Sequence, residues 1–395
     1  MKRLVLLLTI ALVGLMVFAS VPSRTENQNS KILRKASKIQ NQYIVVLDDA
    51  VVGEKGDYSI AGYVADDLAV KHRGKLKHIY KHALNGFAVE MTEADAESLS
   101  QDFRVKYVEE DGIVSAIATQ NNPPWGLDRI DQRNRPLSAT YTYNWTGSGV
   151  RVYVIDTGIR TSHSQFGGRA SNVFDAFGGS GADCHGHGTH VAGTVGGSTY
   201  GVAKSALLRG VRVLDCSGNG STSGVIAGVD WVRQNHIAPA VANMSLGGGI
   251  STALDTAVNN LHNANVTIAV AAGNNNGANA CNFSPARAVN AITTGSTTTT
   301  DARSSFSNIG TCLDLFAPGS SILSAWYTSN TATATLSGTS MASPHVAGVA
   351  ALYKQANPGA SSTTIRNAIV NNATTNVVTN AGSGSPNRLL YSLFF

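Results

Sequence analysis

Charged side chains are scarce in this chain of 395 residues: Asp, Glu, Lys and Arg make up 14%, against about 25% in a typical soluble domain. Hydrophobic residues reach 43%, which excludes an intrinsically disordered chain, since such chains are charge-rich and apolar-poor. Long apolar runs are missing except at the N-terminus, which excludes a polytopic membrane protein. Glu is absent from residues 118–395, where only Lys204 and Lys354 stand beside 13 Arg. That stretch holds 15 basic and 10 acidic residues, a net of +5, whereas residues 20–117 hold 13 and 15, a net of −2. The basic residues are scattered singly rather than gathered on one element, so no nucleic-acid partner is expected. No CxxC pair or Cys/His zinc spacing occurs among Cys184, Cys216, Cys281 and Cys312.

What is present begins with an address. Lys2 and Arg3 precede the apolar run Leu4–Phe18, and the small residues Ala19 and Ser20 follow. The run, about 15 residues, is short for a bilayer span of about 20. Residues 1–20 therefore read as a secretory signal peptide, removed between Ala19 and Ser23, which leaves an extracellular protein without a membrane anchor. In an exported chain an even set of cysteines reads as disulfides, with three pairings open. Sequential pairing, 184–216 and 281–312, would close two loops of about 30 residues, each worth roughly 3–4 kcal/mol.

Residues 21–41 are polar and Lys-rich, as a linker would be. From Gln42 a small α+β unit is expected: strands over 42–47 and 85–91, helices over 60–72 and 92–102, and an extended end over 105–117. Asn121-Asn122-Pro123-Pro124 then punctuates the chain, charge density falls, and a boundary is placed at 117/118. Beyond it, apolar runs at 150–158, 207–215, 240–246 and 266–274 alternate with helical patterns at 187–197, 221–235 and 251–265. Near-continuous apolar strands with helical crossovers imply an α/β fold: a mostly parallel sheet flanked by helices and buried on both faces. Right-handed crossovers put the loops after the strands along one edge, where chemistry is expected.

Three segments meet that expectation. Asp156 ends a strand in Val-Ile-Asp-Thr-Gly, His187 opens a helix of small residues, and Ser340 stands directly before the Ala-rich helix 342–356. A serine hydroxyl needs an imidazole to take its proton, and the imidazole needs a buried carboxylate to hold its tautomer. A serine at a helix N-terminus also leaves its backbone N–H free for a developing oxyanion, and Asn274 offers a side-chain amide to the same atom. Singly, each signal is weak; Asp, His, Asn and Ser in that order along one alternating chain is a specific combination.

DTG at 156–158, HGTHVAG at 187–193, AAGN at 271–274 and GTSMASPHVAG at 338–348 resemble the signature set of the subtilase serine proteases, and among them the proteinase K branch with its aqualysin-type secreted enzymes. The resemblance runs from about Pro124 to the last residues and includes SLGGG (245–249), SSFSN (304–308) and SPNRLLYSL (385–393). Residues 42–117 resemble that family's inhibitory propeptide, a ferredoxin-like α+β domain, and residues 118–395 its peptidase domain. The resemblance implies Ser340 as nucleophile, His187 as general base and then acid, Asp156 as its orienting partner, and Asn274 with the Ser340 N–H as oxyanion hole. It implies substrate binding as an added strand along Gly218–Thr222, with Gly218 and Gly220, and along Ser245–Gly249. Ser245, Leu246 and Gly247 with Ala271 to Gly273 would line a primary pocket that is small and uncharged, favouring apolar or aromatic side chains in peptide and protein substrates. Structural Ca2+ is implied at Asp314 with the carbonyls of Val289 and Ala291, and at Asp128, Asp131, Gln132, Ser138 and Thr140. The extended tail Ile113–Ile117 would fill the cleft and be cut by the adjoining active site, giving a monomeric enzyme that begins near Ala118 and whose own propeptide acts as chaperone and inhibitor.

One departure stands out: the family commonly has Asn two residues before the catalytic His, and here it is His185. His185, His187 and His190 then read H-x-H-x-x-H, which raises a zinc site. No HExxH exists, however, and residues 118–395 hold no Glu to act as base. An α/β-hydrolase esterase is disfavoured because its order is Ser, Asp, His. A catalytically silent binding module would show a lost triad residue, and none is lost.

Overall fold

The structure, a computed structural model, describes residues 31–35, 38–53, 58–112 and 118–395. The expected signal peptide, much of the expected linker and the tail Ile113–Ile117 lie outside the described residues. The chain divides into one unit up to Ile113 and a second from Val114.

In the first unit, β2 (Gln42–Leu47) alternates strictly, so that Tyr43, Val45 and Leu47 are buried while their neighbours are half-buried. It lies at the centre of a five-stranded sheet with β1 (Ile32–Leu33), β3 (Lys75–Tyr80), β4 (Gly86–Glu90) and β5 (Val105–Glu110), in the order β1-β5-β2-β4-β3. After the single-turn α1 (Asp49–Val52), α2 (Tyr58–Lys71) buries Ala61, Ala65, Leu68 and Ala69, one face at helical spacing, in the core those strands form. The helix α3 (Glu93–Ser100) is capped by Thr92, whose hydroxyl accepts from Asp95 N, and adds Ala96 and Leu99. The linker expected over residues 21–41 needs correction. Ile32 and Leu33 pair in parallel with Val108 and Glu109, and Ile32 joins the core at 7% exposure. Two apolar residues among lysines carry no visible period, and the open edge of β5 supplies the partner that the sequence does not show.

In the second unit, β6 (Ala118–Asn121) pairs antiparallel with β7 (Thr140–Tyr143) on either side of α4 (Trp125–Ile130). The main sheet has nine strands. They are β8 (Arg151–Asp156), β9 (Ala170–Asp175), β10 (Leu207–Arg212), β11 (Ala240–Met244), β12 (Thr267–Ala271), β13 (Ile292–Thr297), β14 (Leu315–Pro318), β17 (Thr374–Thr375) and β18 (Arg388–Leu389). Their order is β17-β18-β14-β13-β12-β11-β8-β10-β9, and every pairing is parallel except β17 with β18. A hairpin of β15 (Ile322–Ala325) and β16 (Thr333–Leu336) stands beside it.

Both faces are covered. Val152 and Val154 pack with α5 (His187–Gly196), α8 (Thr339–Ala356) and α9 (Ser362–Asn372), while Tyr153 and Ile155 pack with α6 (Thr222–Asn235) and α7 (Thr252–Asn263). The near-continuous apolar runs follow from this, because successive residues face two buried layers. Ser221 and Ser251 cap α6 and α7 where the sequence places their starts. The central helix α8 is buried almost all round, from Thr339 to Ala356.

Candidate active site

Asp156, the last residue of β8, is fully buried. Its carboxylate receives the His187 Nδ1–H at 2.8 Å from Oδ1 and 2.9 Å from Oδ2, and the Thr157 N–H at 2.7 Å. His187 is the first residue of α5, and its side chain is 20% exposed. The close approach of α5 to the end of β8 requires glycine at 188: a Cβ there would lie 2.2 Å from the Gly158 carbonyl oxygen. Burial opposes a charge on the imidazole, but the Asp156 carboxylate, by charge and hydrogen bond, and Asp183 outweigh it, so the His187 pKa is raised.

Asp183 escapes a reading by motif, although it stands four residues before His187. Its carboxylate accepts from Thr157 Oγ1, the N–H groups of His185, Gly186 and Thr189, and Thr189 Oγ1, at 2.5–3.0 Å. The end of β8 and the start of α5 are thus tied to one anionic group.

The helix α8 starts at Thr339 with Gly338 as its cap, so Ser340 lies inside its first turn rather than before it as expected. Its backbone N–H is one of those that a helix start leaves without an intrahelical acceptor. Pro344 has no N–H to offer the Ser340 carbonyl one turn back; the Ser245 hydroxyl donates to that oxygen instead, at 2.7 Å. The Ser340 hydroxyl donates to the Ser245 carbonyl at 3.0 Å, not to His187. Asn274, after β12, accepts through Oδ1 from Thr339 N and Thr339 Oγ1 at 2.8 and 2.9 Å, which leaves its Nδ2–H2 as the free end.

His187 and Ser340 open on adjoining cavities of about 370 and 270 Å³ that share Leu246 to Gly249. Gly218, Gly220, Ser245, Leu246 and Gly247 line the first; Leu246, Gly247, Ala271, Gly273 and Asn274 line the second beside Ser340. Leu214 and Val225 in the first cavity, and Phe283 and Ala286 in the second, carry no motif and were not expected. Among the described residues, no charged side chain lines the second cavity.

The cysteines pair 184–216 and 281–312, with Cα separations of 4.9 and 5.3 Å. The first bond ties the turn before His187 to the loop that carries Gly218 and Gly220.

The three histidines of H-x-H-x-x-H turn to different partners. His187 faces Asp156; His190 Nε2 meets the carbonyls of Ile322 and Ala334 at 3.0 and 3.1 Å; His185 Nδ1 accepts from His187 N at 3.4 Å. His345, beside Pro344, donates from Nδ1 to Met341 O within α8.

The two calcium arrangements differ in how well they fit a cation. Asp128 accepts from Ser138 N and Oγ and from Ala139 N, and Ser138 Oγ meets Thr140 Oγ1 at 2.7 Å. Asp131 Oδ2 accepts from Thr142 N, but its Oδ1 is buried without a partner among the described residues, and burial first, then the charge of Asp128, pushes its pKa up to about 6. A hard cation suits that orphaned oxygen. The Gln132 side chain donates to the carbonyls of Asn134 and Pro136, so its amide nitrogen is engaged within its own loop. At Asp314 the cation is already supplied: Arg366 Nη2 meets Oδ1, Arg366 Nε donates to the Ala291 carbonyl at 3.3 Å, and Thr293 N donates to Oδ2. Val289, beside them, is 74% exposed. The Asp314, Val289 and Ala291 set, as arranged here, does not fit calcium.

Residues 147–389 match the Subtilase family and residues 42–116 match Peptidase inhibitor I9. The chain is 53% identical to the extracellular serine proteinase of Thermus sp. (strain Rt41A), with 100% of both chains covered. It is 55% identical to alkaline serine exoprotease A of Vibrio alginolyticus, over 90% of this chain and 68% of that protein. The crystal structure of a cold adapted subtilisin-like serine proteinase, 57% identical, matches with a TM-score of 0.68 and covers 70% of this chain and 100% of its own. With its buried Asp–His pair, a helix-start serine on the adjoining cavity, a family match over residues 147–389 and a relative 53% identical along its whole length, this chain belongs to the subtilase family of serine proteases.

Proposed function

We propose that this chain is a secreted endopeptidase that cleaves peptide bonds through an acyl-enzyme, with Asp156, His187 and Ser340 as its triad, and that it is made as a self-processed zymogen. The observation that carries this reading is the His187 imidazole held by both oxygens of a fully buried Asp156, on a cleft that continues to Ser340. A peptide adds as a strand along Gly218–Gly220 and Ser245–Gly249, and its scissile carbonyl sits over Ser340. The Ser340 hydroxyl turns from the Ser245 carbonyl to His187 Nε2, which takes the proton as Oγ attacks the carbonyl carbon. The oxyanion is held by Asn274 Nδ2 and the Ser340 N–H, neither of which has a protein acceptor among the described residues. His187 then gives its proton to the leaving amine, and a water deprotonated by the same imidazole releases the acid. Asp156 holds the tautomer throughout and stabilises the imidazolium.

The second cavity, uncharged and lined by small residues with Phe283 and Ala286, supports a preference for apolar or aromatic side chains. Asp131 and Asp128, near the mature N-terminus, would hold calcium through hard oxygen ligands, which would brace the segment 128–140. The inhibitor-like unit would template the slow-forming parallel sheet and be released by cleavage near Ala118.

Expression of the wild type and Ser340→Ala, each followed by N-terminal sequencing of the secreted product, tests the whole reading. The wild type is expected to begin near Ala118 and to hydrolyse apolar fluorogenic peptides, and the variant to keep its pro-segment. Processing that survives in Ser340→Ala would refute it.

A further inference from the structure

The strand β11 is apolar except at Asn243, which is fully buried and stands two residues after Val241, on the face that packs against α8. A buried amide costs free energy unless its hydrogen bonds are met. At Asn243 they are met by one line of groups that ends on the carbonyl of Ser340. Ser343 Oγ, fully buried three residues after Ser340 on α8, donates to Asn243 Oδ1 at 2.7 Å. Asn243 Nδ2 donates to Ser245 Oγ at 2.9 Å, and Ser245 Oγ donates to the Ser340 carbonyl at 2.7 Å.

Hydrogen-bond chemistry fixes the direction of this line. The Ser340 carbonyl can only accept, and Pro344 denies it the bond a helix would otherwise give it. The Ser245 hydroxyl has one proton, which it commits to that carbonyl when its oxygen faces a donor on the other side. The Asn243 amide supplies that donor, and the Ser343 hydroxyl, by meeting Oδ1, keeps the amide from turning over. With the amide reversed, Oδ1 would draw the Ser245 proton away from the Ser340 carbonyl. Ser245 also holds the nucleophile from its other end, since its carbonyl accepts from Ser340 Oγ at 3.0 Å. The carbonyl and the hydroxyl of Ser340 are thus both tied to the residue that follows β11. Asn243 and Ser343 line neither cavity, so they act on Ser340 without touching a substrate.

We propose that Asn243 is a positioning residue for the nucleophile: with its amide fixed by Ser343, it commits the Ser245 hydroxyl to the Ser340 carbonyl and so orients the Ser340 N–H and hydroxyl toward the scissile bond. The inference deepens the proteolytic reading above and rests on it. Attack and oxyanion binding both demand placement within a fraction of an ångström, which a helix start lacking one of its own hydrogen bonds does not supply by itself.

The test is a double-mutant cycle on processed enzyme, with kcat referred to the amount of nucleophile titrated by an irreversible serine-directed reagent. Asn243→Asp keeps the shape of the side chain, but its carboxylate accepts the Ser245 proton and leaves the Ser340 carbonyl without it. This variant is expected to lower kcat about five- to tenfold, the worth of one buried hydrogen bond, with KM nearly unchanged. In a Ser245→Ala background, where the line is already cut, the same change should move kcat by less than about twofold. An effect of the added charge on His187, or of a loosened core, would be equal in the two backgrounds. Ser343→Ala adds no charge and lets the amide turn over; it should lower kcat about two- to fivefold, again only while Ser245 is present. It carries the cycle by itself if Asn243→Asp does not mature. Equal losses in both backgrounds, a loss confined to KM, or a kcat equal to that of the wild type at every pH from 6 to 10 overturns the proposal. Failure of the wild-type processed enzyme to cleave any peptide would instead overturn the proteolytic reading, and the inference with it.

Discussion

Replacing His190 by Gln isolates one source of acid sensitivity in the peptidase domain. The imidazole is fully buried on α5, Nε2 meets two carbonyl oxygens, and Nδ1 has no partner among the described residues. Burial first of all, and then the neighbouring His187, pushes its pKa down to about 4. In the unfolded chain it titrates near 6.5. Because the folded value lies below the unfolded one, the unfolded chain binds the proton more readily. The contribution of His190 to stability is complete above pH 6.5 and is lost progressively as the pH falls toward 4. At about 1.4 kcal/mol per pH unit the loss by pH 4 is about 3 kcal/mol, a large part of the 5–15 kcal/mol typical of a folded protein. Glutamine can still donate to one carbonyl and does not titrate. Guanidinium unfolding of processed enzyme, with the nucleophile chemically blocked against self-digestion, should therefore show the wild type losing about 3 kcal/mol more than His190→Gln between pH 8 and pH 4. His345, whose pKa is likewise pushed down to about 4 by burial, acts in both proteins and cancels. Equal losses in the two proteins would refute the reasoning.

Four further outcomes follow from the site. Asp156→Asn should lower kcat about 10⁴-fold and move the acid limb of kcat/KM to lower pH, since the carboxylate that outweighs burial at His187 is gone; an unmoved limb would contradict the pairing. Asn274→Leu should reduce kcat about 10²–10³-fold, the loss an oxyanion-hole asparagine of a subtilisin sustains, with KM nearly unchanged in steady-state assays. Cys184→Ser with Cys216→Ser opens a loop of sequence separation 32 and should cost about 3–4 kcal/mol in denaturant titrations. Excess calcium over chelator should raise the Tm of the wild type and leave that of Asp131→Asn unchanged, whereas Asp314→Asn, whose cation is Arg366, should keep the calcium response.

The chain's own pattern determined the alternation of strands and helices and the places where the reactive residues stand. Val152 to Ile155 are apolar on both faces, so a doubly covered parallel strand follows from local composition, and Asp156 falls at its C-terminal end. Ser221 and Ser251 mark helix starts for an equally local reason, a side-chain oxygen for a free N–H. Only the folded arrangement decided what lies far apart in sequence: Ile32 on the edge of β5, the cysteine pairs, Arg366 on Asp314, and the Ser340 hydroxyl on the Ser245 carbonyl. Asp183 shows the same divide at one carboxylate: four of its donors stand two to six residues further on, whereas the fifth, Thr157 Oγ1, reaches it only once the end of β8 meets the start of α5. Periodicity and caps are properties of neighbouring residues, whereas the partner of a buried carboxylate or thiol depends on which surfaces packing brings together.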